Sequence, residues 1–210
     1  MEIKICGLTR VDQAVAIARL GVTAVGLVCV SNSPRYVAPA QQRALNQALA
    51  DYPVWRVGVF ARSPLPAIIE AVQGNGFNGV QLHGEESPAD CQVLRETLPE
   101  VLLIKAIRVR SAASLGSIAA YLPWVNRVLL DAYHPHNLGG TGLAWDWQML
   151  RNHGLNGSWW LAGGVTPENC RVAIAQTQPA GIDVSSGVEI APGVKDLARV
   201  AQLLQEVAGH

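Results

Sequence analysis

The sequence lacks an excess of charge, an abundance of cysteine and any long uncharged apolar run. Sixteen Lys and Arg residues balance sixteen Asp and Glu residues, so the formal net charge is zero. This balance gives no electrostatic basis for binding nucleic acid or an anionic membrane, and neither is expected as a partner. The first residues lack a signal-peptide-like apolar stretch, and no run is long enough to span a membrane. A cytoplasmic location is therefore expected.

Cysteine is also scarce. There are four cysteines, none of them in a Cys-x-x-Cys pair, and no histidines at zinc-finger spacing accompany them. This spacing argues against a disulfide framework and against a structural metal site. What the chain has instead is apolar content: half of its 210 residues are hydrophobic and 15% are charged. These values, without any linker-like segment, predict one compact domain over residues 1–210.

Short apolar runs alternate with amphipathic stretches along the whole chain. The runs are rich in Val, Ile and Leu without alternation, as in parallel strands buried on both faces. They predict strands near 2–6, 24–29, 54–60, 78–82, 101–107, 126–131, 158–162 and 180–184. Helices are predicted near 10–20, 39–50, 64–74, 87–97, 112–121, 144–152, 167–176 and 195–208.

Eight strand–helix units predict an α/β fold, a single-domain TIM (β/α)8 barrel. The alternative is a doubly wound open sheet, whose G-x-G-x-x-G fingerprint is absent after the first strand.

Two C-terminal segments, Leu161–Asn169 and Gly181–Glu189, each run from an apolar strand into small residues. Glycines let the backbone approach an anion, and this fold binds phosphate after strands seven and eight. The chain is therefore expected to bind a phosphorylated small molecule. The candidate phosphate ligands are Gly163, Gly164, Ser185, Ser186 and Gly187, together with Gly140, Thr141 and Gly142 in the loop after strand six.

Two further residues at strand ends carry acid–base chemistry. Cys6 follows strand one beside a glycine and a helix start, where a thiol is expected to ionise easily and act as a base. Asp131 ends strand six and is a general-acid candidate. The alternatives are a small buried core residue for Cys6 and a capping or loop-anchoring residue for Asp131.

Four more polar side chains stand at strand ends as candidate substrate ligands. Arg35, in a proline-stiffened loop, can clamp a carboxylate, or it is a solvated surface residue. Alternation puts Gln81 and His83 on one face of strand four, with His83 at the barrel mouth or serving only as a structural residue. Asp183 can bind a sugar hydroxyl or support its loop.

This set of residues closely resembles the phosphoribosylanthranilate isomerase family of tryptophan biosynthesis, over the full length of the chain. The motifs that carry the resemblance are Lys4–Thr9, Ser33–Val37, Val80–Gly84, Leu130–Asp131, Gly139–Gly142, Leu161–Val165, Asp183–Glu189 and Pro192–Asp196.

The resemblance implies an Amadori rearrangement of N-(5-phosphoribosyl)anthranilate without metal or organic cofactor. In it, Asp131 would be the general acid that opens the ribose ring, and Cys6 the base that removes the C2 proton. Arg35 would hold the anthranilate carboxylate. The protein is expected to be a monomer or a homodimer. The competing hypotheses are an isomerase of aminoimidazole ribotides, against which Cys6 argues, and a non-catalytic phospholigand sensor, against which Cys6 and Asp131 together argue.

Overall fold

The eight predicted strands close into one parallel barrel. A computed structural model of the chain describes residues 1–109, 112–131, 147–150 and 159–209. Within it the strands are hydrogen-bonded in chain order from β1 to β8, and β8 pairs with β1. The predicted TIM barrel is confirmed. The strands are β1 (Glu2–Cys6), β2 (Ala24–Val28), β3 (Trp55–Phe60), β4 (Gly79–Leu82), β5 (Leu102–Arg108), β6 (Arg127–Asp131), β7 (Trp159–Ala162) and β8 (Gly181–Val184).

Six α-helices are present in the described ranges. They are α1 (Val11–Arg19), α2 (Pro39–Ala48), α3 (Leu65–Asn75), α4 (Pro88–Thr97), α5 (Cys170–Thr177) and α6 (Leu197–Ala208). The start of α4 shows how local sequence sets such a boundary: the Ser87 hydroxyl accepts a hydrogen bond from the Asp90 N–H at 3.2 Å, and Asp90 Oδ2 accepts one from the Ser87 N–H at 2.7 Å. This reciprocal capping box satisfies two N–H groups that a helix start leaves without partners. Over the described ranges, none of the helices combines the length and the apolar character needed to cross a membrane.

Two helix predictions were wrong in detail. Residues 112–121 form two short 3₁₀ segments, Ala112–Leu115 and Ile118–Ala120, instead of one α-helix. Gly116 and Ser117 interrupt the stretch with poor helix formers, which accounts for the break. Of the stretch 144–152, only Trp147–Leu150 is described, as a 3₁₀ turn.

The end of the chain also differs from the prediction. A short antiparallel hairpin, β9 (Glu189–Ala191) and β10 (Val194–Lys195), lies between β8 and α6. Its last residue, Lys195, is where the final helix was predicted to begin, and α6 begins at Leu197 instead.

The barrel wall separates two apolar clusters. The larger one lies between the strands and the helices, and a smaller one fills the barrel interior. Because side chains alternate across a strand, the interior cluster identifies the inward-facing positions. Its members are Ala24, Val57, Leu102, Ile104, Ala106, Leu129, Trp160 and Ala162. The same alternation turns three buried polar side chains inward, namely Lys4, Gln81 and Asp183.

The N-terminal end of the barrel is closed by an ion pair. Glu2 accepts two hydrogen bonds from Arg127, both at 2.9 Å, and a third from the Trp160 indole at 2.7 Å. The bonds from Arg127 hold the pKa of Glu2 below its ordinary value. Catalytic groups of this fold lie at the opposite, C-terminal end, and that end carries the candidate site.

Candidate active site

Cys6 and Asp131 lie at the same rim of the barrel, on different strands. Cys6 ends β1 and Asp131 ends β6, and alternation from the inward-facing Lys4 and Leu129 turns both toward the barrel mouth. Gly7 follows Cys6 with φ of +78°, a left-handed conformation that favours glycine. Cys6 is 8% exposed, so its thiol lies at the edge of the buried interior.

A buried lysine lies directly beneath Cys6. Lys4 is 0% exposed, and its Nζ donates a hydrogen bond to Asp183 Oδ1 at 3.0 Å. Gly26 on the neighbouring strand leaves the space that these groups occupy. A Cβ added to Gly26 would lie 2.7 Å from Cys6 Sγ and 3.0 Å from Lys4 Nζ. The thiol, the ammonium and the Asp183 carboxylate therefore form one cluster within the barrel.

The electrostatics of this cluster bear on one expectation. Burial raises the pKa of the Cys6 thiol, and although the Lys4 ammonium lowers it, the net direction is upward. Burial therefore works against the easy ionisation that the strand-end position of Cys6 predicts. Burial lowers the pKa of Lys4, but the charges of Asp183 and Cys6 outweigh that effect and raise it overall. Lys4 consequently remains an ammonium ion.

Asp131 belongs to a hydrogen-bonded chain of three side chains. His83 Nε2 lies 3.1 Å from Asp131 Oδ2, and His83 Nδ1 lies 2.8 Å from Gln81 Nε2. The His83 ring therefore lies between Gln81 on the interior side and Asp131 at the mouth. The arrangement fixes the orientation of the His83 ring and, among the described residues, engages one of the two Asp131 oxygens, Oδ2. Gln81, predicted as a substrate ligand, is fully buried and lies within hydrogen-bond distance of His83.

Arg35 lies across the turn after β1. Its Cδ would be 2.5 Å from a Cβ added to Gly7, and this contact places the side chain beside Cys6. Its Nε and Nη2 donate to the two carboxylate oxygens of Glu189 at 2.9 and 2.6 Å. Lys195 also donates to Glu189, at 2.7 Å. The predicted carboxylate clamp is thus occupied by a carboxylate of the protein, and Nη1 has no acceptor among the described residues.

A second arginine faces the barrel mouth. Arg108 ends β5, pairs in register with Asp131, and has the same inward direction as Ala106 two positions before it. It is exposed, and none of the described residues lies within hydrogen-bond or ion-pair distance of its guanidinium. With His83, Arg62 and Asn32 it lines a cavity of about 690 Å³ at the ends of β2 to β5. This volume lies within the usual range for small-molecule pockets, about 300–1,000 Å³.

The loop after β7 contains the predicted pair of glycines. Gly163 and Gly164 both have positive φ, +87° and +70°. Asn169 holds the loop, because its Oδ1 accepts from the Thr166 N–H and its Nδ2 donates to the Gly164 carbonyl, each at 2.8 Å. A Cβ at Gly164 would meet nothing within 4 Å, so the backbone conformation, not crowding, accounts for this glycine.

The loop after β8 packs directly against the loop after β7. A Cβ at Gly187 would collide with the Val165 carbonyl, so glycine is required for the two loops to meet. The Ser185 hydroxyl donates to the Cys6 carbonyl at 3.0 Å and thereby connects β8 to β1. The N–H groups of Ser186 and Gly187 have no acceptor among the described residues. The predicted ligands Gly140, Thr141 and Gly142 lie outside the described residues.

Sequence reasoning missed several residues at this rim or directly beneath it. They are Lys4, Gly26, Arg108, Glu189 and Lys195. A signal existed for Lys4, since strict alternation along β1 places it on the same face as Cys6. The two residues of the C-terminal hairpin belong to recognised motifs, but no local pattern indicates their contact with Arg35. In the part of the chain that the structure describes, no three His, Cys, Asp or Glu side chains come together as a metal ion would require.

Comparison with known proteins agrees with this geometry. Residues 3–206 match the family described as N-(5'phosphoribosyl)anthranilate (PRA) isomerase. The N-(5'-phosphoribosyl)anthranilate isomerase of Thermosynechococcus vestitus is 53% identical over 207 residues, which cover 99% of this chain and 90% of that relative. The crystal structure of phosphoribosyl anthranilate isomerase from Thermotoga maritima is 34% identical with a TM-score of 0.88, and all of both chains is covered.

A further solved structure has a ligand. It is a phosphoribosyl anthranilate isomerase in complex with reduced 1-(o-carboxyphenylamino)-1-deoxyribulose 5-phosphate, 32% identical with a TM-score of 0.84 over the whole of both chains. Matches in sequence and in fold thus extend over the entire barrel. The chain belongs to the N-(5'-phosphoribosyl)anthranilate isomerase family.

Proposed function

We propose that the chain converts N-(5-phosphoribosyl)anthranilate into 1-(2-carboxyphenylamino)-1-deoxyribulose 5-phosphate, with Asp131 as general acid and Cys6 as general base. The observation that carries this proposal is their placement. Each is the last residue of its strand, and both side chains face inward at the same rim of the barrel. Each also has its own polar partner, His83 for Asp131 and Lys4 for Cys6. Family membership supports the reaction, and the placement supports the roles. The reaction serves tryptophan biosynthesis.

In the first step Asp131 protonates the ribose ring oxygen. The bond between C1 and that oxygen breaks, and the nitrogen lone pair forms a C=N bond to C1. Asp131 is left as a carboxylate and the substrate as an iminium ion. Because His83 occupies Oδ2, the other oxygen of Asp131 carries the transferred proton. His83 thereby orients the acid toward the substrate.

In the second step the Cys6 thiolate removes the proton from C2. The C–H electron pair forms a C1=C2 bond, and the C=N electrons return to nitrogen, giving an enol amine. Protonation of C1 and loss of the enol proton yield the ketone. No step requires a metal or an organic cofactor, because all transferred groups are protons.

The two ends of the substrate bind to different sectors of the rim. The loops after β7 and β8 offer backbone N–H groups to the phosphate, through Gly163, Gly164, Ser186 and Gly187, with Ser185 tying them to β1. The anthranilate ring extends into the cavity at the ends of β2 to β5. Its carboxylate is bound by the Nη1 edge of Arg35, and Arg108 is a second candidate because it lines that cavity and has no partner among the described residues.

The test of the reaction follows freshly generated phosphoribosylanthranilate by fluorescence. Cys6→Ser and Asp131→Asn are each expected to lower kcat by about 10²–10⁴-fold, as loss of a general acid or base does. Cys29→Ser is the matched control. It changes a thiol directly after the neighbouring strand β2, whose pKa burial raises to about 12, and it should retain wild-type kcat.

Each alternative predicts a different outcome. A phospholigand sensor would bind the reduced product analogue without turnover. An isomerase of aminoimidazole ribotides would turn over that substrate in preference. Wild-type kcat in either variant would remove that residue from the mechanism.

The carboxylate anchor is tested by comparing Arg35→Ala with Arg108→Ala. The reduced product analogue and its counterpart without the carboxylate are titrated against each variant. The residue that binds the carboxylate loses affinity only for the analogue that carries it. Equal loss for both analogues would show that the arginine acts elsewhere.

A further inference from the structure

Lys4 is a buried titratable group that the proposed chemistry does not consume. It is fully buried in the barrel interior, where an ionised amine is costly unless it is paired. Its partner Asp183 lies on the adjacent strand β8, directly opposite Lys4 in the strand register. Apolar residues at both of these inward positions would avoid the cost of burying two charges. The ion pair therefore suggests a role beyond packing.

The ammonium also lies beside the thiol of Cys6. Cys6 Sγ and Lys4 Nζ lie 2.7 and 3.0 Å from the point where a Cβ of Gly26 would stand, so both border the same small space. Asp183 restricts the position of Nζ through the 3.0 Å hydrogen bond. A cation so fixed beside a sulfur atom favours the thiolate over the thiol.

We infer that Lys4 is a positioning residue that stabilises the thiolate of Cys6, and that Asp183 holds the ammonium in place and partly compensates its positive charge. This inference rests on the proposed role of Cys6 as the base. The thiolate is the basic form, and burial alone opposes its formation. Lys4 supplies the opposing charge from inside the barrel, which leaves the mouth free for substrate.

Other charged groups also face Cys6 and must be distinguished from Lys4. Asp183 on β8 raises the pKa of the thiol, and Lys195 on β10 lowers it. Arg35, in the loop after β2, is a further charge near the thiol, and the neutral thiol of Cys29 lies directly after that strand. Lys4 exerts the largest of the effects that lower the pKa of the thiol, so its removal should have the clearest consequence.

The experiment measures the Cys6 titration directly from thiolate ultraviolet absorbance, as the difference between each protein and the same protein with Cys6→Ser. Lys4→Met is expected to raise the pKa of Cys6 by about 1–3 units, the range for loss of an adjacent opposite charge. At neutral pH kcat should fall at least about tenfold with KM unchanged, and raising the pH should restore it. A purely structural lysine would give neither the shift nor the recovery.

Three further variants keep the inference falsifiable. Lys4→Met with Asp183→Asn removes both charges, so that no unpaired carboxylate destabilises the barrel, and should show a raised pKa as well. Asp183→Asn alone removes the anion and should shift the pKa of Cys6 downward, opposite to Lys4→Met. Lys105→Met is the matched control: Lys105 is 3% exposed and donates to Glu86 at 2.8 Å, and its loss should leave the Cys6 titration unchanged.

The role of Cys6 as the base and the role of Lys4 beside it are refuted by different results. If Cys6→Ser retains kcat, the proposed base is wrong. If Cys6 is essential but its titration is the same with and without Lys4, in the single or the double variant, the inference about Lys4 is overturned.

Discussion

Substituting Gly26 by alanine tests how closely the geometry of Cys6 is constrained. The new methyl carbon would lie 2.7 Å from Cys6 Sγ, 3.0 Å from Lys4 Nζ and 3.2 Å from the Cys6 Cα. Favourable non-bonded contacts between heavy atoms lie at about 3.5–4.0 Å. The sulfur atom must therefore move by about 1 Å, and the close Cα limits the directions available to it.

Two magnitudes follow from that displacement. Overpacking a well-filled interior costs about 1–3 kcal/mol of unfolding free energy. A displacement of about 1 Å in a reacting group can cost about 10²-fold in rate. We expect Gly26→Ala to lower kcat by about 10²-fold, because the base no longer stands at its position relative to C2.

The assay combines urea unfolding with steady-state kinetics, and Gly58→Ala is its matched control. A Cβ at Gly58 also meets its nearest atom at 2.7 Å, but that atom belongs to Phe60, in the core between barrel and helices. Gly58→Ala should lose comparable stability and retain kcat. Wild-type kcat in Gly26→Ala, or an equal loss of kcat in both variants, would refute the reasoning.

Three other predictions concern different parts of the barrel. His83→Ala removes a hydrogen bond to the carboxylate of Asp131, a bond of about 1.5–3 kcal/mol, and should lower kcat by about 10–100-fold in steady-state assays. Burial alone would raise the pKa of Glu189, but hydrogen bonds, first among them that from Arg35, hold it below its ordinary value of 4.5. The ionised carboxylate therefore stabilises the folded protein above pH 4.5, and this stabilisation is lost as the pH falls below that value. The thermal midpoint of Glu189→Gln should consequently change less with pH in this acid range than the midpoint of the wild type. Glu2→Gln should lower the unfolding free energy by about 1 kcal/mol in urea titrations with kcat unchanged, because Glu2 lies at the opposite end of the barrel.

Local pattern was sufficient for most of the fold. Strands buried on both faces must be continuously apolar, and all eight observed strands lie within a residue or two of the predicted ranges. The predicted helix over residues 112–121 failed because its Ala and Leu content favours a helix while Gly116 and Ser117 interrupt it. The hairpin Glu189–Lys195 was missed because its strands are two or three residues long, too short for a detectable period.

The sequence by itself determined which residues stand at the barrel rim, because the C-terminal end of a strand and the facing of its side chains follow from local alternation. Cys6, His83 and Asp131 were identifiable in this way. Only the tertiary structure decided their partners. Lys4 and Asp183 are 179 positions apart, Arg35 and Glu189 154, and His83 and Asp131 48. These contacts depend on barrel closure, on strand register and on the space left by Gly26. The alternation of residues along a single strand specifies none of these three. The same contacts set the charge around the thiol, so the pKa of Cys6 is a property of the closed barrel and not of the β1 motif.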